Sequence, residues 1–465
     1  MSETTKTGAK QVTPAMVLLI ATLGAFMGSF ANSSVNVALP PLGKALGLGG
    51  LELNWVTTAF VLGSAAFLLP MGRLGDIFGR KRLYALGMAI NAIGAILSSI
   101  APGGAFLIAM RAFSGLGASM IAPTASTLVV AVYPPEQRGR VLGIIVSATY
   151  LGLSAGPFLG GFLTAYLGWR GLFLIHGVLA VLVLVLVGIF LKGEWQIAKG
   201  EPIDWQGTVI YALGLSALLI GFSALPGVRG IVLLIAGIAA LVAFVYWERA
   251  HRHPLLDLGI FKGNRVFALS NLAALFSYGA TFSVGFFLSL YLEVVRGMPP
   301  QNAGLVMMVQ PVLMAVFSPL TGRLSDRVEP RFLASAGMLL TALGLAVLAS
   351  IGVDSPLPLI IAALVSLGLG FALFSSPNTN AVMGAVEHRH LSVASATLST
   401  MRVVGMSASM GIALVLFSLF LGNKAIGTET ILPFMSAFHL AFVISAVLCV
   451  FGVFSSLARG RVTRA

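Results

Sequence analysis

Fourteen apolar runs, each close to the length of a bilayer-spanning helix, follow one another along the chain with only short polar connections between them. They fall near 15–39, 51–71, 82–101, 104–130, 141–166, 170–191, 207–225, 230–248, 266–292, 302–322, 332–351, 356–384, 392–421 and 435–457. About 20 apolar residues in an α-helix cross the hydrocarbon core. A helix also satisfies its own backbone hydrogen bonds, which lipid cannot do for it. The expected fold class is therefore an all-α integral membrane protein with 14 transmembrane helices, and its first partner is the lipid bilayer. Composition agrees, since 58% of the 465 residues are hydrophobic and only 9% charged. A soluble domain carries about 25% charged residues, and so few charges cannot cover a water-facing surface. The 54 glycines suit helices that pack closely in lipid.

A net charge of +13 raises the question of nucleic acid. The basic residues answer it by sitting in short loops rather than on one face, so no nucleic-acid partner is expected. With the N-terminus cytoplasmic, 21 of the 28 Lys and Arg fall on the inner side. Five fall outside (Lys44, Arg170, Arg229, Arg296 and Lys424), and Arg111 and Arg402 lie within spans. This asymmetry predicts an even number of spans, both termini cytoplasmic, and a multi-pass protein of the plasma (inner) membrane. The polar leader Met1–Pro14 runs straight into the first span, which reads as an uncleaved helix. The single Cys449 lies in an apolar run, so neither a disulfide nor a metal site is expected, and no cofactor is implied.

The chain repeats itself. Gly72-Arg73-Leu74-Gly75-Asp76 recurs as Gly322-Arg323-Leu324-Ser325-Asp326, and Gly115-Leu116-Gly117 recurs as Gly368-Leu369-Gly370. Both matches follow corresponding helices in the same order, so the repeats point the same way across the membrane, a known sign of transporter architecture. The expected organisation is an N-terminal six-helix bundle over 1–192, a linker with two inserted spans over 193–264, and a C-terminal six-helix bundle over 265–465.

Three segments carry a resemblance to a known family. The first is Gly72 to Arg82, with Gly79, Arg80 and Asp76 in the loop after the second span; its glycines allow a tight turn, and Asp76 can accept hydrogen bonds or pair with Arg80 or Arg138. The second is Arg111 in the fourth span, followed by Gly115 and Gly117. A guanidinium at membrane depth is costly and needs a partner or water. The third is Gly143, Gly152, Gly156, Pro157, Gly160 and Gly161 in the fifth span, where small residues let helices touch backbone to backbone and Pro157 adds a kink. With Val35 to Pro40, Trp55, Trp169-Arg170 and Arg402 with Gly405, these segments resemble the major facilitator superfamily in its 14-helix drug:proton antiporter branch, over nearly the whole chain. The resemblance implies alternating access between two bundles. The Asp76 loop, with Gly72, Gly79, Arg80, Arg138 and Asp326, would latch the cytoplasmic face. Arg111 would serve proton coupling, and the fifth-span glycines would mark an exporter and form a gliding contact.

One position departs from the family. Relatives commonly carry an aspartate five residues before Asn36, where this chain has Ala31 within Ala31-Asn32-Ser33-Ser34. No acidic residue falls near the middle of a predicted span, and Glu52 and Glu293 come closest, each in an outer turn. Glu293 is either a titrating group or an interfacial residue paired with Arg296. Arg111 and Arg402 are then expected to give the cavity a positive potential, which favours anions over lipophilic cations. The expected activity is proton-coupled export of small organic molecules, anionic or neutral, by a monomer; a lipophilic-cation pump and a non-transporting sensor are the other readings. Asn32, Ser34, Asn36, Tyr150, Tyr278 and Gln310 are further candidates for the path, although polar groups in spans often only join helices. His176, Phe282, Phe286 and Phe287 are weaker ones. An enzyme is not expected: the chain has no His-Glu-x-x-His or nucleotide-binding Gly-x-x-x-x-Gly-Lys-Ser/Thr sequence, no paired carboxylates at depth, and no connection long enough to be a domain.

Overall fold

The computed structural model describes residues 13–422 and 430–460; Lys6, Lys10, Lys424, Arg461 and Arg464, used in the charge count, lie outside them. Among the described residues the regular structure is helical, with thirteen continuous stretches long and apolar enough to cross a membrane. The longest, Arg138–Phe190, has 53 residues. At about 1.5 Å per residue it would be roughly twice as long as a bilayer is thick. Gly168 breaks it, with φ 70° and ψ 172°, a conformation open essentially only to glycine. The stretch is therefore two spans, and the fourteen expected runs correspond to fourteen helices.

These are α1 (Pro14–Leu46), α2 (Gly50–Phe78), α3 (Arg80–Ser99), α4 (Gly104–Val132), α5 (138–167) and α6 (169–190). The inserted pair is α7 (Trp205–Ser223) and α8 (Val228–Ala250). Then come α9 (Arg265–Val295), α10 (Pro300–Ser325), α11 (Pro330–Ser350), α12 (Leu357–Gly384), α13 (Leu391–Leu421) and α14 (Ile431–Ala458). α1 runs past Pro40 and Pro41 to a left-handed C-cap at Gly47, whose N–H bonds to the Gly43 carbonyl. α9 is not uniform, since its last turn, Tyr291–Val295, is π-helical. Because the helices alternate in direction and are even in number, Thr13 and Gly460 lie on one face, called here the chain-end face.

The same pairings occur in α1–α6 and α9–α14. α1 packs on α5, α2 on α4, and α3 on α4 and α6. Correspondingly α9 packs on α13, α10 on α12, and α11 on α12 and α14. The two sets meet through α2 against α13 and α5 against α10. The inserted helices pair with each other, and α7 also touches α2 and α13, where the Tyr211 hydroxyl lies 2.7 Å from Thr400 Oγ1. α8 presents Ile231, Val232, Ile235, Ile238 and Val242 outward, as a lipid-facing helix must. Buried clusters fill the rest, and Phe287 belongs to one of them, among Phe434, Phe438 and Phe442.

Candidate functional site

A cavity of about 280 Å³ lies where α1, α2, α3, α4, α5, α12 and α13 converge. Its wall is apolar, with hydroxyls from Ser29, Ser64, Ser126, Thr149, Thr379, Ser395 and Ser399 and the amide of Asn91. Arg402 is its one charged lining residue among those described, and no carboxylate joins it. One Nη of Arg402 donates to Thr379 Oγ1 at 2.7 Å, and the guanidinium carbon lies 5.6 Å from the Tyr278 ring centroid. Its Nε has no partner. Thr379 and the tyrosine ring thus hold the group while leaving it donors to spare, a combination suited to an anionic or polar guest.

Tyr150 and Tyr278 sit beside it, with hydroxyls 3.4 Å apart and both rings edge-on to Phe371, at 5.6 and 5.2 Å. Sequence-predicted Arg402, Tyr150 and Tyr278 are thus brought together. Arg111 is not part of the cavity wall. It is 3% exposed, its Nε donates to the Val56 carbonyl at 3.1 Å, and its guanidinium carbon lies 4.4 Å from the Phe60 centroid. Phe60 lines the cavity, so the expectation of two arginines sharing one wall is corrected: a ring separates Arg111 from the guest space. One Arg111 Nη has no partner.

The other path candidates divide. Asn32 continues the α1 stripe of Gly28 and Ser29 by one helical turn, and Asn36 by a second turn, where it is exposed. Ser34 faces away, with its Oγ 3.4 Å from His176 Nε2. Gln310 is half-buried on α10, outside the cavity wall, and its main-chain carbonyl meets Gly368. Glu293 accepts from Ser289 Oγ at 2.7 Å within the π-helical turn. Arg296 is engaged elsewhere, donating to the carbonyls of Val353 and Ser355. Glu52 accepts from the Gly49 N–H at 2.9 Å, which makes it a cap for α2.

On the chain-end face the two helix sets are joined by a network. Asp76, fully buried, accepts at Oδ1 from Arg80 Nε (3.2 Å), Arg80 Nη (3.0 Å) and Ser392 Oγ (2.6 Å). Arg80, 1% exposed, also donates to Ser392 Oγ and to the His388 carbonyl. The related Asp326 accepts from the N–H groups of Gly139 (2.7 Å) and Arg140 (3.0 Å), capping α5 from the other set. Arg138 lies 3.3 Å from His388 Nε2. Gly72 meets α13 at Ser392 and Ala396, and Gly322 meets α5 at Gly139 and Gly143. Gly79 alone separates α2 from α3 at φ 112°, and a Cβ there would strike the Glu194 carboxyl.

The fifth-span motif serves two contacts. Gly143 packs on α10 at Ser318 and Pro319, between the sets. Gly152, Gly156 and Gly160 pack on α1 at Phe26–Phe30, Ser33 and Ser34, within one set. Gly161 has only Val37 near it, at 3.6 Å, and Pro157 is exposed. A single gliding face is therefore corrected to one crossing contact and one intrahelical-set seam.

Sequence reasoning passed over the cavity hydroxyls, because Ser and Thr recur on every span. It also passed over Glu194, whose carboxylate accepts from the N–H groups of Lys81 and Arg82. Nothing in its linker context marks it.

Two parallel helix sets around a cavity, joined by matched contacts on one face, define a membrane transporter. The family model of the Major Facilitator Superfamily matches residues 21–204, 205–410 and 270–464, and the chain belongs to that superfamily. It is 30% identical over 445 residues to the riboflavin transporter RibZ of Clostridioides difficile, covering 94% of this chain and 96% of that one. It is 30% identical over 397 residues to the multidrug resistance protein Stp of Mycobacterium tuberculosis, covering 84% and 73%. The proton:xylose symporter XylE shares the fold at a TM-score of 0.68 and 13% identity, over 95% of this chain and 94% of that one.

Proposed function

We propose that this chain is a secondary active exporter of small organic molecules, anionic or neutral, driven by the proton gradient through alternating access. The single observation that carries the substrate preference is the cavity wall, where Arg402 stands with hydroxyls and without a carboxylate. In an enclosed low-dielectric space that cation attracts an anion and repels a lipophilic cation. Helices α1–α6 and α9–α14, within 1–192 and 265–465, act as two bundles that rock about the cavity. The Asp76–Arg80–Ser392 and Asp326–Gly139 contacts hold the chain-end face shut. Opening that face and closing the opposite one would deliver the guest outward. The excess of basic residues in the loops on this side supports a cytoplasmic orientation for it in the plasma membrane.

Two coupling routes remain with this cavity. Either Glu293, near the outer end of α9, carries the proton, or the guest itself does. A cation-exporting pump is the second reading, and similarity to Stp favours it. Riboflavin is a third compound to test, given the likeness to RibZ. The experiment is dye-reported proton movement in proteoliposomes under an imposed gradient, with organic anions, riboflavin and lipophilic cations added singly. Proton release with anions and none with cations supports the proposal. A response confined to cations overturns it.

A further inference from the structure

A second, larger space opens on the chain-end face, apart from the central cavity. This groove of about 1120 Å³ is bounded by α2, the linker before α7, the end of α8 with the loop after it, and the base of α13. It therefore touches both helix sets and the inserted pair. Its volume exceeds the usual range for small-molecule sites, roughly 300–1,000 Å³, and leaves room for a bulky head group or nucleotide.

The charges in it are unbalanced. Arg73, Arg249, Arg252, Lys262 and Arg389 line it, against Glu201, Glu248 and Asp257. Each acid already has a donor. Glu201 pairs with Arg73 and lies 3.6 Å from His253; Asp257 lies 3.6 Å from His390; Glu248 accepts from the Leu256 N–H at 3.0 Å. Arg389 pairs with Glu387 outside the groove. Among the described residues Arg249, Arg252 and Lys262 make no ion pair, and all three are exposed to the groove. Set against Glu248 and Asp257, which no Lys or Arg pairs with, these three cations leave the concavity with a net positive balance that draws anions toward it. Arginine's planar fork fits a phosphate better than a monatomic anion does.

We propose that this groove binds a phosphate-bearing anion, which bridges the α2 side to the α13 side and so favours the state closed on this face. The position explains the effect. Arg73 lies on α2 about one turn before Asp76, and Arg389 directly follows His388, whose carbonyl accepts from Arg80. A ligand spanning the groove must be released, or must stretch, before α2 and α13 can part. The phosphate comes from a lipid head group at the α8 rim or from a soluble phosphate ester, and the two sources are separable. The inference does not depend on what the central cavity transports.

The test uses the full chain in phosphatidylcholine nanodiscs at low salt. Trp247 reports occupancy, because it ends α8, donates its indole N–H to Asp204 at 2.9 Å and stacks on the groove residue His251. Inorganic pyrophosphate is titrated in one arm, and a rising share of phosphatidylglycerol is introduced in the other. Saturable change with pyrophosphate supports a soluble phosphate ester; change with phosphatidylglycerol alone supports a head group. In either case the double variant Arg252→Gln/Lys262→Gln should bind about tenfold or more weakly. The control Arg323→Gln/Arg327→Gln, two exposed arginines elsewhere on this face, should bind as wild type does. The proposal is overturned if neither probe gives saturation, if the groove variant responds as wild type, or if both double variants lose the response equally.

Discussion

Replacing Asp326 by asparagine isolates the contact between the two helix sets. Its two oxygens accept from the Gly139 and Arg140 N–H groups at 2.7 and 3.0 Å, at the N-terminus of α5. Asparagine keeps the shape but removes the charge and turns one acceptor into a donor that faces an N–H. A hydrogen bond to a charged group contributes about 1.5–3 kcal/mol, and a carboxylate at a helix N-terminus about 0.3–1 kcal/mol. A loss near 2 kcal/mol shifts the equilibrium between closed and open forms of this face roughly 30-fold. Asp76 is a poorer probe, since neutralising it strands Arg80, which is 1% exposed, and unfolding would be mixed with opening. Spin labels at Arg82→Cys and Arg389→Cys, exposed positions at the base of α3 and beside α13, report the separation. The sole native cysteine, Cys449, is fully buried and leaves the background clean. The variant should gain a long-distance population that wild type lacks. An unchanged distance distribution in a protein that still melts as wild type does would refute the latch.

Arg402→Ala should weaken binding of organic anions about 10- to 100-fold, the loss of one charge-assisted contact, with little effect on neutral compounds; isothermal titration checks it, and equal loss for both classes would count against the charge argument. Gly160→Ala brings a Cβ within 2.6 Å of Ser34 Cβ and 2.8 Å of its Cα, so overpacking by about 1–3 kcal/mol should lower the melting temperature, whereas Gly161→Ala, with only Val37 near, should be neutral. Glu194→Ala strips the caps from the Lys81 and Arg82 N–H groups; a loss of about 1 kcal/mol in thermal unfolding is expected, and no change would show that the linker does not brace the latch loop. Tyr211→Phe removes the 2.7 Å contact with Thr400, and a stability loss of about 0.5–1.5 kcal/mol is expected, measured the same way.

The sequence by itself determined the architecture, because lipid leaves a chain few choices. Runs of about 20 apolar residues must be helices there, and the segment repeated from Gly72 at Gly322 already states that two similar sets lie in parallel. It also suggested the Asp76–Arg80 pair, four residues apart on one stretch, but not the Ser392 hydroxyl and His388 carbonyl that meet it from the other set. What only tertiary structure decided is which faces meet. Helical period alone does not separate a cavity wall from a helix–helix seam, since both use small and polar residues. Hence Ser34 turned out to face His176 and Gly143 to face α10, while Gly152 to Gly160 face α1. Arg111 and Arg402 look alike along the chain; a ring, Phe60, puts one behind the cavity wall and leaves the other on it. The groove between α8 and α13 is only partly legible in sequence: Arg249, Arg252 and Lys262 share one stretch of chain, but only folding brings Arg73 of α2 and Arg389 beside α13 to face them.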